Sequence, residues 1–211
     1  HYCSRRQRQM CIRDSPYTRG FTVGFDFSDF ANSYIDDLKR TLDNIPMSSL
    51  EAFWNLVELT KQEGGSVHFI GNGGSAATPS HSAGDWSKEL KLRTIAHSDN
   101  ISSFTAWSND TEYSNVFVGQ LSTFIREGDL VVAYTGSGNS PNVINGVIYA
   151  KENGCRTAAV TGNYNGHSGG KIVELVDVAL VAPTQSMERI EDIQLIVNHI
   201  VKEAIKSHHG L

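Results

Sequence analysis

The sequence predicts an α/β fold: a three-layer sandwich with helices on both faces of a five-stranded parallel sheet, preceded by two N-terminal helices. Three observations predict it. Short apolar runs such as SVHFI at 66–70 and LVVAYT at 130–135 suit strands buried on both faces. Segments with apolar residues at helical spacing lie between such runs, and strands alternating with helices build parallel βαβ units. Two of the strands run straight into glycine- and serine-rich loops that open helices.

The elements follow in order. Phe30, Tyr34, Leu38 and Leu42 recur at helical spacing from Asp26 onward, and Asn44-Ile45-Pro46 breaks that helix. Ser48-x-x-Glu51 has the form of a capping box, opening a second helix through Phe53, Val57 and Thr60 that Gly64-Gly65 ends. A strand at 66–70 leads through Gly71-Asn72-Gly73-Gly74-Ser75 into a helix over about 76–90. A second strand covers 93–97, and a third, 130–135, ends in Gly136-Ser137-Gly138-Asn139-Ser140-Pro141. Its helix spans 142–152 and stops at Asn153-Gly154. Strands at 157–161 and 176–181 follow, then a closing helix of about twenty residues from Ser186. The stretch 98–129 yields no assigned element.

Composition narrows the function classes. The 211 residues suit one domain, or one domain with an arm. No apolar run is long enough to span a membrane, and the polar, basic N-terminus does not have the form of a secretory signal. Cys3, Cys11 and Cys155 are odd in number and irregularly spaced, which points to a reducing, cytoplasmic setting without a disulfide framework or thiolate zinc site. The net charge of −5 conceals an asymmetry: residues 1–20 hold five arginines against Asp14, so their +4 leaves −9 on the remainder. An acidic body argues against nucleic acid as a partner. Residues 1–23 lack periodicity and an apolar face, and MCIRDS resembles translated sequencing-adapter read-through. They are expected to be a non-native or disordered arm.

The two loops carry the chemistry. Past the carboxyl ends of parallel strands, glycines let backbone N–H groups approach an anion, and a helix N-terminus adds partial positive charge. Ser75 in the first loop, and Thr135, Ser137 and Ser140 in the second, add hydroxyl donors. Each charge-assisted hydrogen bond contributes roughly 1.5–3 kcal/mol, so a few of them hold a phosphate firmly. No Gly-Lys-Ser/Thr follows either loop, and Gly136-Ser137-Gly138 lacks the third glycine of a dinucleotide fingerprint. His81 and Asp85, at i and i+4, share one face of the helix after the first loop, where two ligands can grip one metal. Glu191 and His199 stand eight apart, about 12 Å of helix rise, and reach one ion only by leaning together or from two subunits.

GNGGSAATPSH, TGSGNSPNVINGV, the Asn109-Asp110 pair, Glu127-Gly128-Asp129 and RIEDIQLIVNH together resemble the sugar isomerase (SIS) domain, most of all the phosphoheptose isomerases. The likeness runs from about Phe27 to Ala204. It implies a flavodoxin-like sheet and an SIS domain over 24–208. It also implies isomerisation of sedoheptulose 7-phosphate to D-glycero-D-manno-heptose 7-phosphate through an enediol. By position, Asn72, Gly73, Gly74, Ser75, Asn109, Asp110, Thr135, Gly136, Ser137, Ser140 and Glu191 become the substrate contacts. His81, Asp85, Glu191 and His199 become holders of a zinc ion, with Asp85 the base and His199 the acid. The chain departs from the family pattern at several positions, among them Glu89, which stands where the family has an arginine that Lys88 would replace. Asp85 replaces a glutamate, Glu191 a glutamine, and Thr135-Gly136 a Ser-Thr pair, which removes one hydroxyl donor. The family also implies a homo-oligomer, a tetramer with sites between subunits. The alternative function is a non-catalytic SIS regulator that senses sugar phosphates. The histidine–carboxylate set favours the enzyme. His68 and His208-His209 are expected to be structural or exposed, and His97 and His167 are left unassigned.

Overall fold

A computed structural model describes residues 24–211. The arm expected over residues 1–23 lies outside them. The chain divides into two compact units, residues 1–39 and Arg40–Leu211. In the first, the described residues form most of α1 (Phe27–Asp43). Asp26 Oδ1 accepts the Asp29 N–H at 3.0 Å, the bond a helix N-cap makes.

The second unit carries α2 (Met47–Gln62), β1 (Ser66–Gly71), α3 (Gly74–Leu90), β2 (Arg93–Ala96), α4 (Ile101–Asp110) and α5 (Val116–Phe124). It continues through β3 (Leu130–Tyr134), α6 (Pro141–Glu152), β4 (Arg156–Gly162), β5 (Val178–Ala182) and α7 (Met187–His209). All strand pairings are parallel, in the order β2-β1-β3-β4-β5. This is the expected flavodoxin-like sheet. Its strand order reverses between β1 and β3, and ligands of such sheets bind in the crevice past the strand ends at that point. Both glycine-rich loops open there.

Helices α2, α3 and α7 cover one face, and α5 and α6 cover the other, with α4 against α5. Every residue of β3 is buried, as its unbroken apolar run demands. On one side the Phe69 ring lies 5.2 Å from Trp86 and 6.2 Å from Tyr134. On the other, Val116, Phe117 and Leu121 join Ile70, Val131 and Val147 in a continuous cluster. Each such side chain contributes about 1.5–3 kcal/mol on leaving water.

Two local expectations are corrected. Ser48 and Glu51 do not form a capping box. The helix starts at Met47 with Pro46 at the N-cap, whose carbonyl accepts the Ser49 and Leu50 N–H groups at 3.0 and 3.1 Å, and no side-chain cap bond is made. Proline, with φ −69°, pre-sets the helix entry two residues earlier than the Ser-Glu spacing suggests. The stretch 98–129 holds two helices, α4 and α5, separated by a short 3-10 turn at Tyr113–Asn115. β5 starts two residues later than expected, at Val178.

A buried polar row crosses the β2 side of the sheet. His68 lies 3.3 Å from Asp129 Oδ2 through Nε2, and 3.0 Å from His97 Nε2 through Nδ1. The carboxylate is an acceptor, so His68 Nε2–H donates to it. His68 Nδ1 then accepts from His97 Nε2–H. Asp129 also accepts the N–H groups of Ser66 and Arg126 at 2.7 and 2.8 Å. His97 is thus a core residue, and His68 is structural as expected. Among the described residues no helix is long and apolar enough to cross a membrane.

Candidate active site

Two helix N-termini build the first half of the site. The N-cap of α3 is Gly73, at φ 57°, a left-handed conformation that glycine adopts without a Cβ clash. The N-cap of α6 is Ser140, with Pro141 next. Neither N-cap makes a side-chain cap bond. Ala76 and Val143 donate their N–H groups to the N-cap carbonyls at 2.9 and 3.1 Å, and Pro141 has none, so the N–H groups of Gly74 and Ser75 on α3 and of Asn142 on α6 keep their donor capacity for a ligand.

The crevice between them is a cavity of about 270 Å³, lined by Asn72, Gly73, Gly74, Ser75, Thr135, Gly136, Ser137, Ser140, Met187 and Glu191. Thr135 Oγ1 accepts the Gly138 N–H at 3.2 Å, and Ser137 Oγ accepts that of Asn139 at 3.3 Å. Both hydroxyls use a lone pair on the backbone and retain their O–H to donate. The loop can fold this tightly because Gly138, at φ 66°, has the Gly169 carbonyl where a Cβ would stand.

The departures from the expected pattern have structural counterparts. A Cβ on Gly136 would strike the Met187 sulfur, so Met187 fills the space of the missing hydroxyl-bearing side chain. The Glu191 carboxylate lies against Gly74, at the first turn of α3. Burial pushes the Glu191 carboxyl above its usual range, and the charges of Glu188 and Asp192 add to the shift. Asn72 is oriented by Asn142, whose Nδ2 donates to its Oδ1 at 2.8 Å, and by Tyr113, whose hydroxyl donates to the same oxygen at 2.9 Å.

The second half lies further along α3 and on α7. His81 Nε2 is 3.0 Å from His199 Nε2 and 3.2 Å from Asp85 Oδ2, and His199 Nε2 is 3.7 Å from that oxygen. Ligands about 2.0–2.1 Å from a tetrahedral zinc stand about 3.3–3.4 Å apart, so three convergent atoms at these separations fit such an ion and leave a fourth position open. Glu191 belongs to the cradle lining and not to this triad. Eight residues of rise separate it from His199 on α7, so one straight helix cannot bring both to one ion.

Sequence reasoning missed Lys202. Its ammonium lies 3.2 Å from Asp85 Oδ2 and 3.4 Å from Glu89 Oε1, and the residue is buried. Burial works against its charge, but the hydrogen bonds to Asp85 and Glu203 and the nearby carboxylates raise its pKa. The available signal was spacing: 199 and 202 are i and i+3 on one helix face. Asn109 and Asp110 are exposed at the end of α4, where Asn109 Nδ2 donates to Asp110 Oδ1 at 2.9 Å. They are not among the residues lining the cradle.

Residues 33–162 match the SIS domain family. A probable phosphoheptose isomerase of Thermoplasma volcanium is 35% identical over 183 residues, covering 84% of this chain and 91% of its own length. A phosphoheptose isomerase of Aliarcobacter butzleri is 36% identical over 151 residues, covering 69% of this chain and 78% of its own. The solved structure of a phosphoheptose isomerase from Neisseria gonorrhoeae superposes with a TM-score of 0.81 at 28% identity, over 86% of this chain and 100% of that one.

Proposed function

The chain belongs to the SIS-domain family, among the phosphoheptose isomerases, and on that premise we propose that it interconverts sedoheptulose 7-phosphate and D-glycero-D-manno-heptose 7-phosphate. The observation that carries this reading is the pairing of an uncapped two-helix cradle on α3 and α6 with a His-Asp-His triad on α3 and α7. Ser75 and His81 are six residues apart on α3, and Glu191 and His199 eight apart on α7, so cradle and triad stand roughly 10 Å apart. An extended seven-carbon sugar phosphate spans that distance; a triose phosphate does not.

The phosphate docks on the N–H groups of Gly74, Ser75 and Asn142 and on the hydroxyls of Ser75, Thr135, Ser137 and Ser140. Asp85 meets the two histidines and Lys202 through Oδ2, which leaves Oδ1 to take the proton from C1 of the ketose and return it to C2. His199 moves the hydroxyl proton between O1 and O2 through Nδ1, the ring nitrogen that the triad does not use. A zinc ion held by His81, Asp85 and His199 would polarise the carbonyl and steady the enediol oxygens. Glu191 serves the substrate from the cradle.

The His81 and His199 side chains are 48% and 43% exposed. An enediol needs shelter from water, and a second copy of the chain over the triad supplies it. We therefore read the protein as a homo-oligomer, a tetramer, in which Asn109 and Asp110 serve a neighbouring protomer's site. A reducing, cytoplasmic setting agrees with the buried Cys155 thiol, which burial pushes up to about 11.

The test is turnover on ketose phosphates of five to seven carbons, with metal analysis of the purified protein. Asp85→Asn should lower kcat by about 10²–10⁴-fold while sugar phosphate still binds. His199→Ala should lose both turnover and metal. Parent-like turnover in both variants would falsify the assignment. A parent that binds sugar phosphates and turns none over points instead to a regulator.

A further inference from the structure

The end of α7 carries a second cluster of ligand-type side chains. Glu58 on α2 is 6% exposed, and its carboxylate faces His208 and His209. His209 Nε2 lies 2.6 Å from Glu58 Oε1, and Gln62 Nε2 donates to that oxygen at 2.9 Å. The ligand atoms of Glu58, His208 and His209 all lie within 4.8 Å of one another. The His208 ring is held edge-on by Trp54, at 5.8 Å and 86°.

The other carboxylate oxygen supplies an independent observation. Glu58 Oε2 is buried and has no hydrogen-bond partner among the described residues. A buried carboxylate oxygen with nothing to pair with is costly, and native folds rarely leave one so. Burial would raise the Glu58 carboxyl, yet the hydrogen bonds from Gln62 and His209 and the nearby imidazoles hold it below its usual range. The group is therefore an anion near neutral pH, with one oxygen occupied and the other open.

We propose that Glu58, His208 and His209 form a second divalent-metal site, separate from the His81, Asp85 and His199 triad, that ties the end of α7 to α2. Two imidazoles and one carboxylate suit a borderline ion of the zinc class. Ten residues of helix, about 15 Å, separate His199 from His209, so the two sites cannot share one ion. Gln62 orients the carboxylate from behind, as outer-sphere partners of metal ligands do. An ion here joins two helices that pack on the same face of the sheet, so its role is structural.

The experiment uses the full chain, stripped with chelator and titrated calorimetrically with Zn²⁺. The parent should bind two ions per chain. His208→Ala/His209→Ala changes exposed side chains, so it should fold, bind one ion per chain and keep parent turnover. In a His81→Ala/His199→Ala background one ion per chain should remain, and zinc should raise its Tm by mass action. Glu58→Gln keeps the shape but removes the anion, and should weaken the second ion by more than the ~10–100-fold typical of losing an outer-sphere partner. Two ions at parent affinity in His208→Ala/His209→Ala overturns the site. Parent affinity in Glu58→Gln overturns it as well, because two exposed histidines alone would then account for binding. A single ion per chain in the parent, lost with His81 and His199, overturns it too.

Discussion

Lys202 Nζ stands 3.2 Å from Asp85 Oδ2, joining α7 to α3 beside the two histidines that share that oxygen. The shorter side chain at position 85 thus comes with a buried cation that fixes its direction. Lys202 is absent from the cradle lining, so its effect on the reaction passes through Asp85.

Lys202→Met should therefore separate binding from turnover. KM for the sugar phosphate should change little, while kcat falls by up to ~10²-fold, the cost of a catalytic group displaced by about 1 Å. The Tm should drop as well, because Asp85 and Glu89 lose a shared partner. Lys202→Arg should recover part of kcat. Steady-state kinetics on the three proteins check this; a change in KM alone would place Lys202 in substrate binding.

Ser137→Ala and Ser140→Ala should each weaken sugar phosphate binding by roughly 1.5–3 kcal/mol, about 10- to 100-fold, with Tm nearly unchanged. The unphosphorylated sugar should bind poorly to the parent and no worse to the variants. Calorimetry with both ligands decides, and equal losses for the two would remove the phosphate from the cradle.

Gly136→Thr should fail alone and succeed with a partner. A Cβ at position 136 meets the Met187 sulfur, so the single variant should lose about 1–3 kcal/mol of stability to overpacking. Met187→Ala opens that space. The double variant should recover stability and bind sugar phosphate more tightly than Met187→Ala, because the added hydroxyl donates to the anion. Thermal melts and phosphate affinities of the three variants test the coupling.

The protein should lose stability on mild acidification. Burial, with the neighbouring His68, holds His97 at about 3, against 6.5 for a free imidazole. The unfolded chain therefore binds the extra proton first. The contribution is fully present above pH 6.5 and is lost as pH falls from there through about 3. At pH 5 the loss is about 2 kcal/mol from His97. His68, also shifted down by burial, acts in the same direction. Urea midpoints from pH 8 to 5 should decline, and His97→Asn should flatten the slope.

The strands, the helices that follow them and the two glycine- and serine-rich loops were legible in the sequence because short-range pattern decides them. LVVAY has no polar position to leave on a surface, and Gly-Ser loops between a strand and a helix leave little choice of backbone. The i, i+4 pairing of His81 and Asp85 was equally local. Helices α4 and α5 were not legible. α4 buries no residue and sits against α5, so its pattern carries little trace of a core.

Local pattern, then, sets where each ligand-type side chain sits along its own helix. Which of them meet was decided by the crossing of α3 and α7 and of α2 and α7. Helix rotation at those crossings brings His199 to His81 across 118 positions of sequence, holds Glu191 two turns away in the cradle, and places Lys202 on Asp85. The same packing carries His209 to Glu58, 151 positions away. Local periodicity encodes a face of a helix, but the partner of that face exists only once the sheet has drawn distant segments together.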